Sequence, residues 1–152
     1  MNEDEKWMEF AIKEAIKAGK KGEVPVGAVL VKNQKIIAKA HNQPISKNDA
    51  TAHAEIQLIR KSGEKQKNYR LVNSTIYVSL EPCSMCLGAI VHARISKIVF
   101  GAYDSKIGAC GSSIDLTNTS FLNHKFLIKG GILEDQCSKL LKDFFKVRRK
   151  NI

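Results

Sequence analysis

Thr75-Ile76-Tyr77-Val78-Ser79-Leu80-Glu81-Pro82-Cys83-Ser84-Met85-Cys86 is the stretch on which the fold turns. Its first six residues are rich in β-branched and aromatic side chains, the composition of a strand. Pro82 then ends the run, and residues 83–93 read as a helix with Pro82 suited to its first turn. A strand that passes directly into a helix is the repeating unit of α/β sheets.

Working outward, residues 3–18 form an amphipathic helix whose apolar face is Trp7, Met8, Ala11, Ile12, Ala15 and Ile16. Glu3, Asp4 and Glu5 suit the positive end of its dipole, and Gly19 and Gly22 end it. The run from Val24 to Val31, the polar turn Lys32-Asn33-Gln34-Lys35 and Ile36-Ile37-Ala38 predict a hairpin near the centre of a sheet, with a bulge at Gly27 preferred over a close-approaching ligand there. Residues 42–50 read as a loop, a helix follows from Thr51 as its N-cap to about Lys61, and residues 62–73 as a basic connection. Further strands are expected at Lys97–Gly101 and Phe126–Ile128, separated by a long Gly/Ser/Asn-rich loop over 102–124. Cys137, Leu140, Leu141, Phe144 and Phe145 mark the apolar face of a basic C-terminal helix at about 133–150. The pattern predicts one domain over 1–152, a three-layer α/β/α arrangement with a central mixed sheet of about five strands.

Composition narrows the function. The chain carries 25 Lys and Arg against 15 Asp and Glu, a net charge of +10. Most of the excess sits in two segments: residues 60–70, with five basic side chains against one acidic, and residues 139–152, with six against one. Such clustering suits a polyanionic partner, although a solvated lysine-rich surface would look the same. No apolar run approaches the roughly 20 residues needed to span a bilayer. The acidic N-terminus is the reverse of a signal peptide, and four cysteines without an export signal predict reduced thiols in the cytoplasm.

The chemistry lies in two short motifs, Thr51-Ala52-His53-Ala54-Glu55 and Pro82-Cys83-Ser84-Met85-Cys86. They supply one imidazole, two thiols and a carboxylate. Residues two apart on a helix face different ways, so His53 and Glu55 converge only if the site lies off the first turn of a helix. Cys83 and Cys86 would likewise sit at a helix start, where the dipole favours thiolates. Three strong ligands with an open fourth position are the inventory of a catalytic zinc site. Zinc at His53, Cys83 and Cys86 would lower the pKa of a bound water, and Glu55 could accept its proton. Taken singly, the Cys-x-x-Cys could be a redox dithiol and His53 a hydrogen-bonded core residue. A structural site recruiting Cys110 and Cys137 would need two scattered cysteines, which read better as buried thiols.

His53-Ala54-Glu55 with Pro82-Cys83-Ser84-Met85-Cys86 is the H-x-E…P-C-x-x-C signature of zinc-dependent nucleobase deaminases. Over nearly its whole length the chain resembles the bacterial tRNA-specific adenosine deaminases. The matching stretches are Glu23–Val29, Thr51–Ile56, Asn68–Leu71, Tyr77–Cys83, Val99–Ala102 and Asp143–Phe145, the last followed by the basic tail. Ala50 and Leu87 depart from the family's usual Pro and Ala, and neither is a ligand. The resemblance implies a cytidine-deaminase-like fold, a homodimer, one Zn2+ per subunit, no organic cofactor and no membrane. It implies hydrolysis of the wobble adenosine in the anticodon stem-loop of an arginine tRNA to inosine, releasing ammonia. Carried over by position, Asn42 would hydrogen-bond the flipped base, Val26 would pack on it and the Ala54 backbone would contact its edge. Asp104, Lys106, Asn123, Phe145 and Arg149 would touch neighbouring anticodon-loop nucleotides. A deaminase of free bases or nucleotides would share the zinc motif but has no need of the basic tail. A non-catalytic RNA-binding module would have no use for Glu55.

Overall fold

The computed structural model describes residues 1–118 and 122–150; residues 119–121, inside the expected long loop, and 151–152 lie outside that description. The first helix, α1 (Glu3–Lys20), starts at a reciprocal capping box. The Asn2 side chain accepts from the Glu5 N–H at 2.8 Å, and the Glu5 carboxylate accepts from the Asn2 N–H at 3.1 Å. Trp7, Met8, Ala11, Ile12 and Ala15 are buried as expected. Ile16 is instead on the rim, 38% exposed, and Glu14 and Ala18 complete the buried stripe.

Next come β1 (Gly27–Lys32) and β2 (Lys35–His41), joined through Asn33 and Gln34, both at positive φ. That is the primed turn whose twist matches the strands. The hairpin does not lie at the centre of the sheet. Strand β3 (Thr75–Leu80) pairs with the other side of β1, then β4 (Lys97–Ala102) and β5 (Leu127–Lys129) follow, in the order β2-β1-β3-β4-β5. So β3 is central and β2 is an edge. The bulge expected at Gly27 is also displaced: the register breaks between Leu30 and Val31. Gly27 is required by a close approach, because a Cβ there would lie 2.1 Å from the Ala11 carbonyl oxygen of α1.

The remaining helices are α2 (Pro44–Lys47), a short turn within the expected loop, α3 (Ala54–Gln66), α4 (Ser84–His92) and α5 (Glu134–Lys150). Strand alternation divides the core into two layers. Ala28 and Leu30, Ile76 and Val78, Ile98 and Phe100 face one way, with Leu58 of α3 and Leu87, Ile90 and Val91 of α4. Val29, Val31, Tyr77 and Val99 face the other, with Trp7, Met8, Ala11 and Ile12 of α1 and Cys137 of α5. Helices therefore cover both faces of a mixed sheet, the predicted three-layer architecture.

Direction decides where chemistry can assemble. β1 is antiparallel to both β2 and β3, and β4 runs parallel to β3. The carboxyl ends of β2, β3 and β4 thus share one sheet edge with the amino end of β1. Val26, Asn42, Glu81–Cys83 and Asp104 all emerge there, at the place where open α/β sheets hold their ligands.

Candidate metal centre

Two helix starts build the centre. Thr51 is not the cap of α3: its N–H and hydroxyl both bond to Asp49 Oδ1, at 2.9 and 2.7 Å, closing a tight turn. His53 takes the cap position with extended backbone, φ −65° and ψ 157°, so its ring projects off the helix tip. Glu55 follows in the first turn. Pro82 likewise stands just outside α4, whose cap is Cys83, with ψ 176°. Cys86 lies one turn further in and is fully buried.

His53 Nδ1 lies 3.8 Å from Cys83 Sγ and 3.5 Å from Cys86 Sγ. All three ligand atoms fall within 4.8 Å of one another, the one such cluster among the described residues. Tetrahedral bonds of about 2.3 Å to sulfur and 2.0–2.1 Å to nitrogen would separate the donor atoms by roughly 3.6 Å. Both the spacing and the soft, thiol-rich donor set fit zinc. The sulfurs share a proton unevenly. The hydrogen bond from Cys86, helped by His53, brings the Cys83 thiol down to about 4. The same bond, with burial, raises the Cys86 thiol. Hydrogen bonding to Cys83 raises His53 against the opposing effect of burial.

Glu55 is 4% exposed. Burial, reinforced by the Cys83 charge and opposed by its own backbone N–H and by His53, pushes its carboxyl up to about 7. A carboxyl poised there can take and return a proton at neutral pH. Cys110 and Cys137 stay out of the cluster. Cys137 packs against Gly101, where a Cβ would lie 2.4 Å from its sulfur, and Cys110 is only half-buried; burial pushes both thiols up to about 12.

Among the other residues singled out from sequence, Val26, Asn42 and Ala54 are buried at the same sheet edge. The Asn42 N–H donates to the Val26 carbonyl at 3.0 Å, and the Gln43 N–H to Ala52 at 2.9 Å, tying this loop to the turn before His53. Asp104 folds back on its own loop, Oδ1 accepting from the N–H groups of Lys106 and Ile107 at 3.0 and 3.2 Å. Lys106, Asn123 and Arg149 are exposed. Phe145 is 43% exposed and meets Phe144 edge to face at 5.4 Å, so it is not part of the core face expected for the last helix. Two functional-looking carboxylates escaped the sequence reading: Glu23 and Glu81, buried at 1% and 2% exposure. An acidic residue at the border of an apolar stretch is the signal that could have found them.

Fold and donor set together define a zinc-binding deaminase domain, and residues 1–102 match the family model of the cytidine and deoxycytidylate deaminase zinc-binding region. The tRNA-specific adenosine deaminase of Haemophilus influenzae is 48% identical over 148 residues, covering 97% of this chain and 86% of that protein. A structure solved in a study of A-to-I editing by tRNA:A34 deaminases at the wobble position matches with a TM-score of 0.87 and 40% identity, covering 90% of this chain and 99% of the other. A guanine deaminase from Bacillus subtilis matches at 40% identity and a TM-score of 0.64, covering 68% of this chain and 66% of its own. The chain belongs to the cytidine and deoxycytidylate deaminase family, on the branch of the tRNA-specific adenosine deaminases.

Proposed function

We propose that this chain, as one deaminase domain over 1–152 and as a cytoplasmic homodimer with one zinc ion per subunit, converts the wobble adenosine of an arginine tRNA to inosine and ammonia. The observation that carries the reading is the 48% identity to a tRNA-specific adenosine deaminase over 97% of this chain, a span that takes in both the metal centre and the basic α5.

His53, Cys83 and Cys86 would hold the metal, which when bound would act as a Lewis acid and make water a nucleophile near neutral pH. Glu55 accepts a proton from the attacking water as the oxygen adds to C6 of the purine. Glu55 then returns a proton to the exocyclic nitrogen, whose bond to C6 breaks to release ammonia. Asn42 hydrogen-bonds the flipped base, Val26 packs against it and the Ala54 backbone meets its edge. Asp104, Lys106, Asn123, Phe145 and Arg149 engage the neighbouring nucleotides. Single-stranded loops are where bases can be splayed into such a pocket, and basic side chains meet their phosphates.

The test is a single-turnover assay on an arginine tRNA with an unmodified wobble adenosine, beside free adenosine, guanine and cytidine, with nucleosides read out after nuclease digestion. Inosine formed in the tRNA alone is the expected result. Deamination of a free base or nucleoside with the tRNA untouched would leave the metal chemistry in place and overturn the RNA assignment.

A further inference from the structure

Glu81 stands between the end of β3 and the first thiol ligand, and its carboxylate is the hub of a loop that the sequence leaves without structure. Oε1 accepts from the Asp104 N–H at 3.0 Å and from the Ser112 hydroxyl, which lies closer still. Oε2 accepts from the N–H groups of Cys110 and Ser112, at 2.9 and 3.1 Å. The four donors span nine residues, so the segment 104–112 is wound around one side chain. Gly108 lies against it, where a Cβ would come within 2.5 Å of the Glu81 carboxyl carbon. The same segment is tied to the metal-ligand stretch by backbone: Gly108 bridges to Cys83, and the Ala109 N–H donates to the Pro82 carbonyl at 2.9 Å.

We infer that Glu81 is a positioning residue for RNA recognition: it locks the 104–112 loop, and with it Asp104 and Lys106, in place beside the metal centre. The inference rests on the proposed function for the identity of what the loop meets. A carboxylate suits the task because it presents only acceptors, two oxygens to four donors. A glutamine of the same shape turns an N–H2 group toward donors on one side, which leaves part-buried donors unpaired and releases the loop.

The experiment compares Glu81→Gln with the wild-type zinc-loaded protein. Hydrogen–deuterium exchange in the peptide covering 103–114 is expected to quicken about tenfold or more, while peptides of β3, α3 and α4 keep their rates and zinc content is unchanged. On an anticodon stem-loop, KM is expected to rise about tenfold with kcat within about threefold. Unchanged exchange in 103–114 would overturn the inference. Faster exchange throughout the chain would also do so, because it would make Glu81 a residue of the fold alone. A lower kcat at constant KM would overturn it too, by placing the effect on the chemical step. Should Glu81→Gln not fold, Ser112→Ala removes one of the four bonds and must move exchange and KM the same way by a smaller amount. Absence of either change refutes the proposal. Wild-type protein that leaves the stem-loop unmodified overturns the proposed function and the RNA half of this inference, whereas the exchange arm still decides whether Glu81 holds the loop.

Discussion

At the scale of the residue, Glu55 is a buried carboxyl in the first turn of the helix capped by His53. Burial next to a thiolate pushes it up to about 7, which matches a group that must take and give a proton within one turnover. Glu55→Gln keeps the volume and can still hydrogen-bond, but carries no proton to the leaving amine. Its turnover is expected to fall at least about 100-fold at unchanged zinc content, measured as single-turnover rate and metal per chain. Retained activity would remove Glu55 from the mechanism. The donor set was legible in the sequence because residue type and spacing announce it: a His two before a Glu, two Cys three apart. Glu81 and Glu23 were not legible as hubs. All but one of the donors they hold are backbone N–H groups, more than twenty positions away, and no residue type advertises a backbone N–H in search of an acceptor.

At the scale of the element, Glu23 shows how the short helix that follows Asn42 is fastened. Its carboxylate accepts from the N–H groups of Ile45 and Ser46 at 3.1 and 2.7 Å, at the start of α2. Burial alone would raise Glu23, but these bonds, with the Ser46 side chain and His41, outweigh it and hold the carboxyl below its ordinary range. A carboxyl lowered by folding adds stability above its unfolded value, and that stability is lost as pH falls through the folded value. Wild type is therefore expected to exceed Glu23→Gln by about 1–3 kcal/mol at neutral pH, with the gap closing in acid. Urea unfolding of both proteins at about pH 7 and about pH 3 checks this. A gap independent of pH would contradict it. Element type was largely readable: β3 occupies the stretch its composition suggests. Element extent was less so. The helix expected to end near Lys61 runs through Gly63 to Gln66, since a helical glycine costs only about 1 kcal/mol and Leu58 and Ser62 are buried along α3. The position of β1 between β2 and β3 depends on long-range pairing, which local composition does not encode.

At the scale of the molecule, charge and chemistry are laid out separately. The candidate metal centre is partly buried at the carboxyl edge of the sheet, whereas the net charge of +10 is carried by exposed side chains, several of them on α5. That helix is anchored at its basic end. Arg148 lies over the Phe144 ring at 4.6 Å and donates a short hydrogen bond to the Gly22 carbonyl, while Lys146, Arg149 and Lys150 remain exposed. A fixed basic helix and a partly buried candidate site together suit a large anionic substrate that presents a single base to the centre. The most direct measurement is the fate of water oxygen. A stem-loop with a wobble adenosine is incubated with the zinc-loaded protein in heavy-oxygen water, digested to nucleosides and weighed by mass spectrometry. The account predicts one heavy oxygen atom in each inosine formed at the wobble position and one ammonia released with it. Inosine carrying only light oxygen, or no inosine at that position, would contradict it.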